Sequence, residues 1–231
     1  MDGILLYPSM PQPPLANDIV AEANHRIANS LTLLVGLVRM QARAISKNPQ
    51  PLTSAELRLT LEGIAARIGT ISQLHRLLSH VPPDGSTSLR PHLRDVTDSL
   101  VSALSSSEQM VSVVHTGGDC MVRVRHVQPI ILILCEIFIN AMKYAHPAGV
   151  PLIMTVDCAP GSDGRLVLTI SDDGVGLPDG FDLTQSQGLG FKVMRSLAGE
   201  VGANLDIQST GLGLTFRLSV PAAAMASAKL A

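Results

Sequence analysis

The feature that most restricts this chain is a change of period. Up to VPPDGSTS (Val81 to Ser88) apolar residues recur every three or four positions; beyond it several segments alternate apolar and polar residues. The first spacing lines one face of a helix and the second one face of a strand. A second break, KNPQP (Lys47 to Pro51), splits the helical part in two. The chain therefore reads as two helices followed by a mixed α+β region.

The first helix has an N-cap candidate in Asn17 or Asp18 and runs to about Ile45. Its apolar positions include Val20, Ala23, Ile27, Leu31, Leu34 and Val38. The second starts at TSAE, where Thr53 and Glu56 are spaced as a capping box. It carries Leu57, Leu61, Ile64, Ile68, Ile71, Leu74 and Leu78. The two form a helical hairpin whose apolar stripes are broad for one pair of helices. Two copies forming a four-helix bundle would cover them, so a homodimer is expected.

In the second part, SLRPHLRDVTDSLVSAL, HVQPIILILCEIFINAMKYA and KVMRSLAGEVG read as helices. MVSVVHTG, CMVRVRH, PLIMTVDC, RLVLTISD, ANLDIQS and LTFRLSVP read as strands. The fold class is an all-α hairpin followed by an α+β two-layer sandwich. Expected boundaries are a disordered or extended tail over 1–16, the hairpin over 17–81, a linker over 82–88 and the sandwich over 89–225.

Composition removes several function classes. With 231 residues, 46% of them hydrophobic, the chain has ample material for a buried core. A formal charge of -2 gives no global attraction to nucleic acid or anionic membranes. No Trp, two Tyr and four Phe leave little for base stacking. Cys120, Cys135 and Cys158 form no CxxC pair, which fits a reducing cytoplasm better than a disulfide framework. The start of the chain lacks the basic and apolar regions of a signal peptide. PIILILCEIFINAM is apolar but carries Glu136 and Asn140, which a membrane span tolerates poorly. A soluble, cytoplasmic protein without a membrane span is expected.

Two places carry candidate chemistry. In EANHRIANSL, Glu22, Asn29, Thr32, Gly36, Arg39 and Arg43 fall within about 60° of His25 on a helical wheel. His25 thus lies on the polar stripe. A lone exposed histidine is usually inert, but Asn29 one turn on can orient a water or phosphoryl oxygen, and Arg26 can attract a phosphate. A neutral imidazole is a competent nucleophile toward phosphorus.

The other place is a series of four segments. In EIFINAMKYA, Glu136 and Asn140 share a helix face, with Lys143 following. A carboxylate and an amide there suit hydrated Mg²⁺ on phosphates; the other reading is a buried polar pair, costly unless partnered. Lys143 can reach a phosphate or remain a solvated helix residue. In SDDGVGLP, Asp172 can accept a hydrogen bond from adenine's exocyclic amine, and Gly174 and Gly176 let the backbone come close. In QGLGFKVM, Gly188 and Gly190 precede a helix whose free N–H groups can hold phosphates. DGFDLTQSQ between them is polar enough for a lid. GLGLTFRLSVP is a glycine turn into a closing strand.

From about residue 16 onward the chain resembles histidine kinases of the HisKA_2/HWE-like group. EANHRIANSLTLLVGLVRMQAR is similar to their phosphoacceptor helix, EIFINAMKYAHP to the N-box, SDDGVGLP to the G1 box and QGLGFKVMRSLAGEVGANLDI to the G2 box. The resemblance implies a dimerisation and phosphotransfer hairpin followed by a GHKL-type (Bergerat) ATP-binding domain. It implies His25 as the autophosphorylated residue, Asn140 as the Mg²⁺ ligand and Asp172 as the adenine reader. Gly174, Gly176, Gly188 and Gly190 would line the nucleotide. The phosphoryl group would pass to a response-regulator aspartate, and Asn29 matches a position that orients water for regulator dephosphorylation. Glu136 is the candidate proton acceptor.

Two departures stand out. Where many relatives have Gly-Thr, this chain has Gly213-Leu214, and loss of a polar contact is expected. No sensor precedes the hairpin, so input is expected from elsewhere. These departures motivate a second reading, a phosphotransfer or phosphatase adaptor whose C-terminal domain has lost ATP. A third is a GHKL ATPase clamp with Glu136 activating water, which leaves the histidine helix unexplained. His75, His80, His92, His115, His126 and His146 are scattered without metal spacing and read as structural.

Overall fold

The computed structural model describes residues 28, 31–32, 34–36, 38–43, 45–46, 51–78, 85–106, 109–146, 150–161, 164–178, 180–181 and 189–221. Those between 28 and 46 are helical. Helix α1 spans Ser54–Leu78. Its start is the capping box read from sequence. The Thr53 N–H and hydroxyl both donate to Glu56 Oε2 at 2.8 Å, and the Glu56 N–H donates to Thr53 Oγ1 at 3.2 Å.

The face that α1 buries agrees with the expected one in its C-terminal half, at Ile71, Leu74 and Leu78, and departs from it before that. Leu57, Leu61 and Ile68 are exposed, while Thr60, Gly63, Arg67, Thr70, Ile71, Leu74 and Leu78 are buried. At 100° per residue the buried stripe sits about 90° round the helix from the exposed apolar one. The cause is that α1 packs on the helices of the second region, α2 (Leu89–Leu104) and α3 (Val124–Tyr144). Small residues on the buried stripe permit close approach: a Cβ at Gly63 would lie 3.4 Å from Ile139 Cγ2. On the first helix, Leu34 is buried but Leu31, Val35 and Val38 are exposed.

Strand β1 (Ser86–Ser88) falls where a linker was expected. It pairs antiparallel with β3 (Met121–Arg123), Thr87 opposite Val122. The segment CMVRVRH is therefore only half extended. The Val124 N–H donates to Gly85 O at 2.9 Å, and α3 starts at Val124 rather than at His126.

The main sheet has the order β2–β4–β5–β7–β6, from Val111–Gly117, Leu152–Pro160, Leu166–Asp172, Gly213–Val220 and Asn204–Thr210. The β2–β4 pair is parallel and the others antiparallel. Alternate residues of the inner strands are buried, among them Leu168, Ile170, Phe216 and Leu218. They form the core together with α2, α3 and α4 (Leu189–Glu200). Every residue of α3 from Pro129 to Ile139 is buried, because neighbours surround the helix. This helix is long and apolar enough to cross a membrane, but most of its apolar stretch is buried inside the fold. Glu136, in its middle, is ion-paired there.

Candidate active site

The C-terminal end of β5 places Asp172 at the floor of a turn. Its Oδ1 accepts the Gly174 N–H at 3.0 Å and the Leu214 N–H at 3.2 Å. The carboxyl group is buried, which holds its pKa above the ordinary carboxylate value; the two N–H groups act in the opposite direction. Gly174 and Gly213 are dictated by closeness. A Cβ at Gly174 would lie 2.6 Å from Ala145 Cα, and one on Gly213 (φ 125°) would overlap the Asp172 carbonyl. Gly176, with φ 74°, sets the next turn, where the Leu177 N–H donates to Ser209 Oγ at 2.8 Å.

The end of α3 is joined to this turn. Val175 N–H donates to Ala145 O at 2.9 Å, and His146 Nε2 lies 2.9 Å from Asp173 Oδ1. Asp173 also accepts the Ile153 N–H at 2.9 Å; these bonds and the nearby imidazole bring its pKa below the usual value, against a raising effect of burial.

One turn before the end of α3, the Asn140 amide faces the first turn of α4. A Cβ on Gly190 would lie 2.7 Å from Asn140 Nδ2. Gly190 is the second residue of α4, inside the helix rather than before it as the sequence suggested. Phe191 beside it stacks on Phe216 at 6.4 Å and contacts Phe181 at 6.3 Å between ring centroids. The aromatic row links Phe181 to α4 and β7; most of the segment expected to be a lid lies outside the described residues. Lys143, half-buried, has its pKa lowered by burial and by the Arg67 charge, with Glu136 opposing.

Glu136 is 2% exposed, and a residue of α1 holds it. Arg67 Nε donates to Oε1 at 2.5 Å and Nη2 to Oε2 at 2.8 Å. Below the pair, the Cys135 thiol lies 3.5 Å from Thr70 Oγ1; burial pushes that thiol up to about 12. Among the described residues no group of three or more His, Cys, Asp or Glu could hold a metal ion.

Residues 22–104 match the HisKA_2 family, described as histidine kinase. Residues 125–224 match HATPase_c, described as histidine kinase-, DNA gyrase B- and HSP90-like ATPase. The chain belongs to the histidine kinases. This kinase core is 29% identical over 191 residues to the sensor histidine kinase PdtaS of Mycobacterium tuberculosis, covering 81% of this chain and 35% of that protein. To PdtaS of Mycolicibacterium smegmatis it is 26% identical over 209 residues, covering 87% of this chain and 39% of that protein. The chain thus spans well under half the length of these relatives. The solved histidine kinase domain of the EL346 blue-light activated histidine kinase of Erythrobacter litoralis has the same fold. It superposes with a TM-score of 0.65 at 20% identity, covering 89% of this chain and 92% of that one.

Within this fold, Glu136, Asn140 and Lys143 share a face of α3 with Gly190 against Asn140, and Asp172, Gly174 and Gly176 follow one another from the end of β5, joined to the end of α3 through Ala145. His25, Asn29 and Gly188 lie outside the described residues, although His25 and Asn29 fall within the matched 22–104 segment. Of the polar stripe drawn around His25, Thr32, Arg39 and Arg43 are exposed. Sequence reasoning missed two participants. Arg67 was hidden because its stripe, Thr60–Gly63–Arg67–Thr70, is small and polar; an arginine in line with small residues at helical spacing was the available signal. His146 pairs with a residue 27 positions away, which only the fold brings near.

Proposed function

We propose that these residues bind ATP and that the kinase autophosphorylates His25, then passes the phosphoryl group to a response-regulator aspartate. The observation that carries this reading is the Asp172 carboxylate. Two backbone N–H groups aim it from a turn that glycines alone can make, leaving it to accept from an adenine amine. The phosphates would then run toward Asn140, Lys143 and the first turn of α4, where a helix start and a lysine favour anions. The partly buried Asn140 amide suits a Mg²⁺ that keeps most of its waters and takes the rest of its ligands from phosphate. Bound there, the ion would neutralise phosphate charge. A His25 ring nitrogen attacks the γ-phosphorus, the bond to the β–γ bridging oxygen breaks and ADP leaves. The imidazole proton goes to a carboxylate, for which Glu136 is the candidate.

Leu214 does not favour the adaptor reading, because its backbone N–H keeps the bond to Asp172 whatever its side chain. The apolar stripe of Leu57, Leu61 and Ile68, exposed in one copy, supports a homodimer, which light scattering would detect. Without a partner that stripe would remain a sizeable apolar patch in water.

Labelled ATP with Mg²⁺ tests the reaction. The expected result is an acid-labile label on the wild type and none on His25→Ala. A wild type that takes no label refutes the reading. Adding a cognate receiver domain is expected to move the label to an aspartate.

A further inference from the structure

We propose that the two-pronged pair of Arg67 with Glu136 is an inhibitory latch between the hairpin and the nucleotide-binding domain. While closed, the latch holds α1 on α3 and keeps Glu136 out of reach of the histidine ring. The proposal rests on the kinase reading above.

Three observations carry it. First, the geometry is complete. Both oxygens of Glu136 accept from one guanidinium, and the two side chains are 10% and 3% exposed. An imidazole cannot approach a carboxylate so covered. Second, the surroundings are shaped for contact rather than for general stability. Gly63 lets the helices approach beside the pair, and Thr70 meets Cys135 one turn further on. Well-packed apolar side chains would hold two helices at least as firmly as a buried ion pair. An ion pair differs in being conditional: carrying one partner away bares the other. Third, the position is functional. Glu136 lies one helical turn from Asn140, and the Arg67 charge is felt at Lys143. The latch thus closes on the phosphate end of the proposed site, not on its adenine end. A movement of α1 that withdraws Arg67 would release Glu136 and free the hairpin to present its histidine.

The test uses the full chain with Arg67→Gln, which removes the charge, and Arg67→Lys, which keeps it and loses the fork. Hydrogen exchange is read over 63–74 and 132–139, with β4 and β5 as the standard for an intact fold. Autophosphorylation is read as kcat and as KM for ATP. In Arg67→Gln, exchange is expected to rise in both segments and kcat by about tenfold, as when a closed state dominant by that factor is removed. KM is expected to move less than about twofold, since adenine recognition is built elsewhere. Arg67→Lys should fall between, and answers the question alone if Arg67→Gln does not fold. Raised exchange with kcat unchanged or lower overturns the proposal, because the pair is then only structural. Unchanged exchange overturns it as well. A wild type that never labels His25 overturns the kinase reading and the catalytic half of this proposal; exchange then decides whether Arg67 holds the helices together.

Discussion

The two parts of the proposed nucleotide site, one for adenine and one for phosphate, are built by opposite means. At the adenine end the backbone sets the geometry. Asp172 is fixed by two N–H groups, Gly174 rests on Ala145 and Gly213 passes under the Asp172 carbonyl. At the phosphate end the groups are side chains of one helix, Asn140 and Lys143, with Glu136 tied to a residue of the hairpin. Backbone geometry is preorganised and does not change without unfolding a turn. Side chains engaged by another helix change when that helix moves. On the proposed reading, base recognition would belong to the nucleotide-binding domain alone, and the reacting end would depend on where the hairpin sits.

The largest effect that would test this contrast is at Gly213. A side chain there must adopt a left-handed backbone and overlap the Asp172 carbonyl. Gly213→Val is expected to cost at least about 1–3 kcal/mol in stability and to abolish ATP binding. Thermal unfolding and nucleotide titration read the two effects. Near-normal affinity would show that the adenine turn is not rigid. Asp172→Asn comes next. Losing a charge-assisted hydrogen bond should weaken ATP by about 10- to 100-fold, with unfolding temperature little changed because the amide oxygen can still accept both N–H groups.

Asp172 also carries a pH signature. Its folded pKa lies above the unfolded value, so the folded state takes the proton first. The cost of burying the charge is present at neutral pH and disappears as pH falls through that raised value. Adenine binding goes the other way and is lost on the same acidification, at a higher pH than an ordinary aspartate would give. In Asp172→Asn this dependence of affinity should vanish. At the other end, Lys143→Met should weaken ATP by no more than about tenfold, since a half-buried lysine meets its phosphate partly in water. A larger loss than that of Asp172→Asn would reverse the order of the two ends.

Much of this contrast was legible in the sequence. The change from helical to alternating spacing located the strands of the main sheet and their helices, and the E-x-x-x-N and D-x-G-x-G spacings picked out segments that the fold joins at the ends of α3 and β5. The rest failed for physical reasons. Period alone identifies an apolar stripe but not which partner covers it: the spacing that marked Leu57, Leu61 and Ile68 did not show that α1 also turns its Gly63–Arg67 face to α3. The three-residue β1 is too short for alternation to show. Glu136 was read as a site residue or a buried polar pair, and the ion pair fits the second description while lying at the place required by the first. Its partner was 69 positions away, a distance at which residue spacing carries no information.

The smallest expected effect concerns Leu214, where the family resemblance led to the expectation of threonine. If the adenine end is set by backbone, the side chain at 214 matters little, because the bond to Asp172 comes from the main-chain N–H. Leu214 is partly buried and packs on the core, so Leu214→Thr exchanges some apolar contact for a hydroxyl beside the base. One neutral hydrogen bond, net of water, is worth about 1 kcal/mol, and lost packing opposes it. Affinity for ATP should therefore change by less than about threefold in a side-by-side titration. A gain well beyond that would mean that the leucine had been weakening a side-chain site all along, and that the adenine end is not the purely backbone device its hydrogen bonds describe.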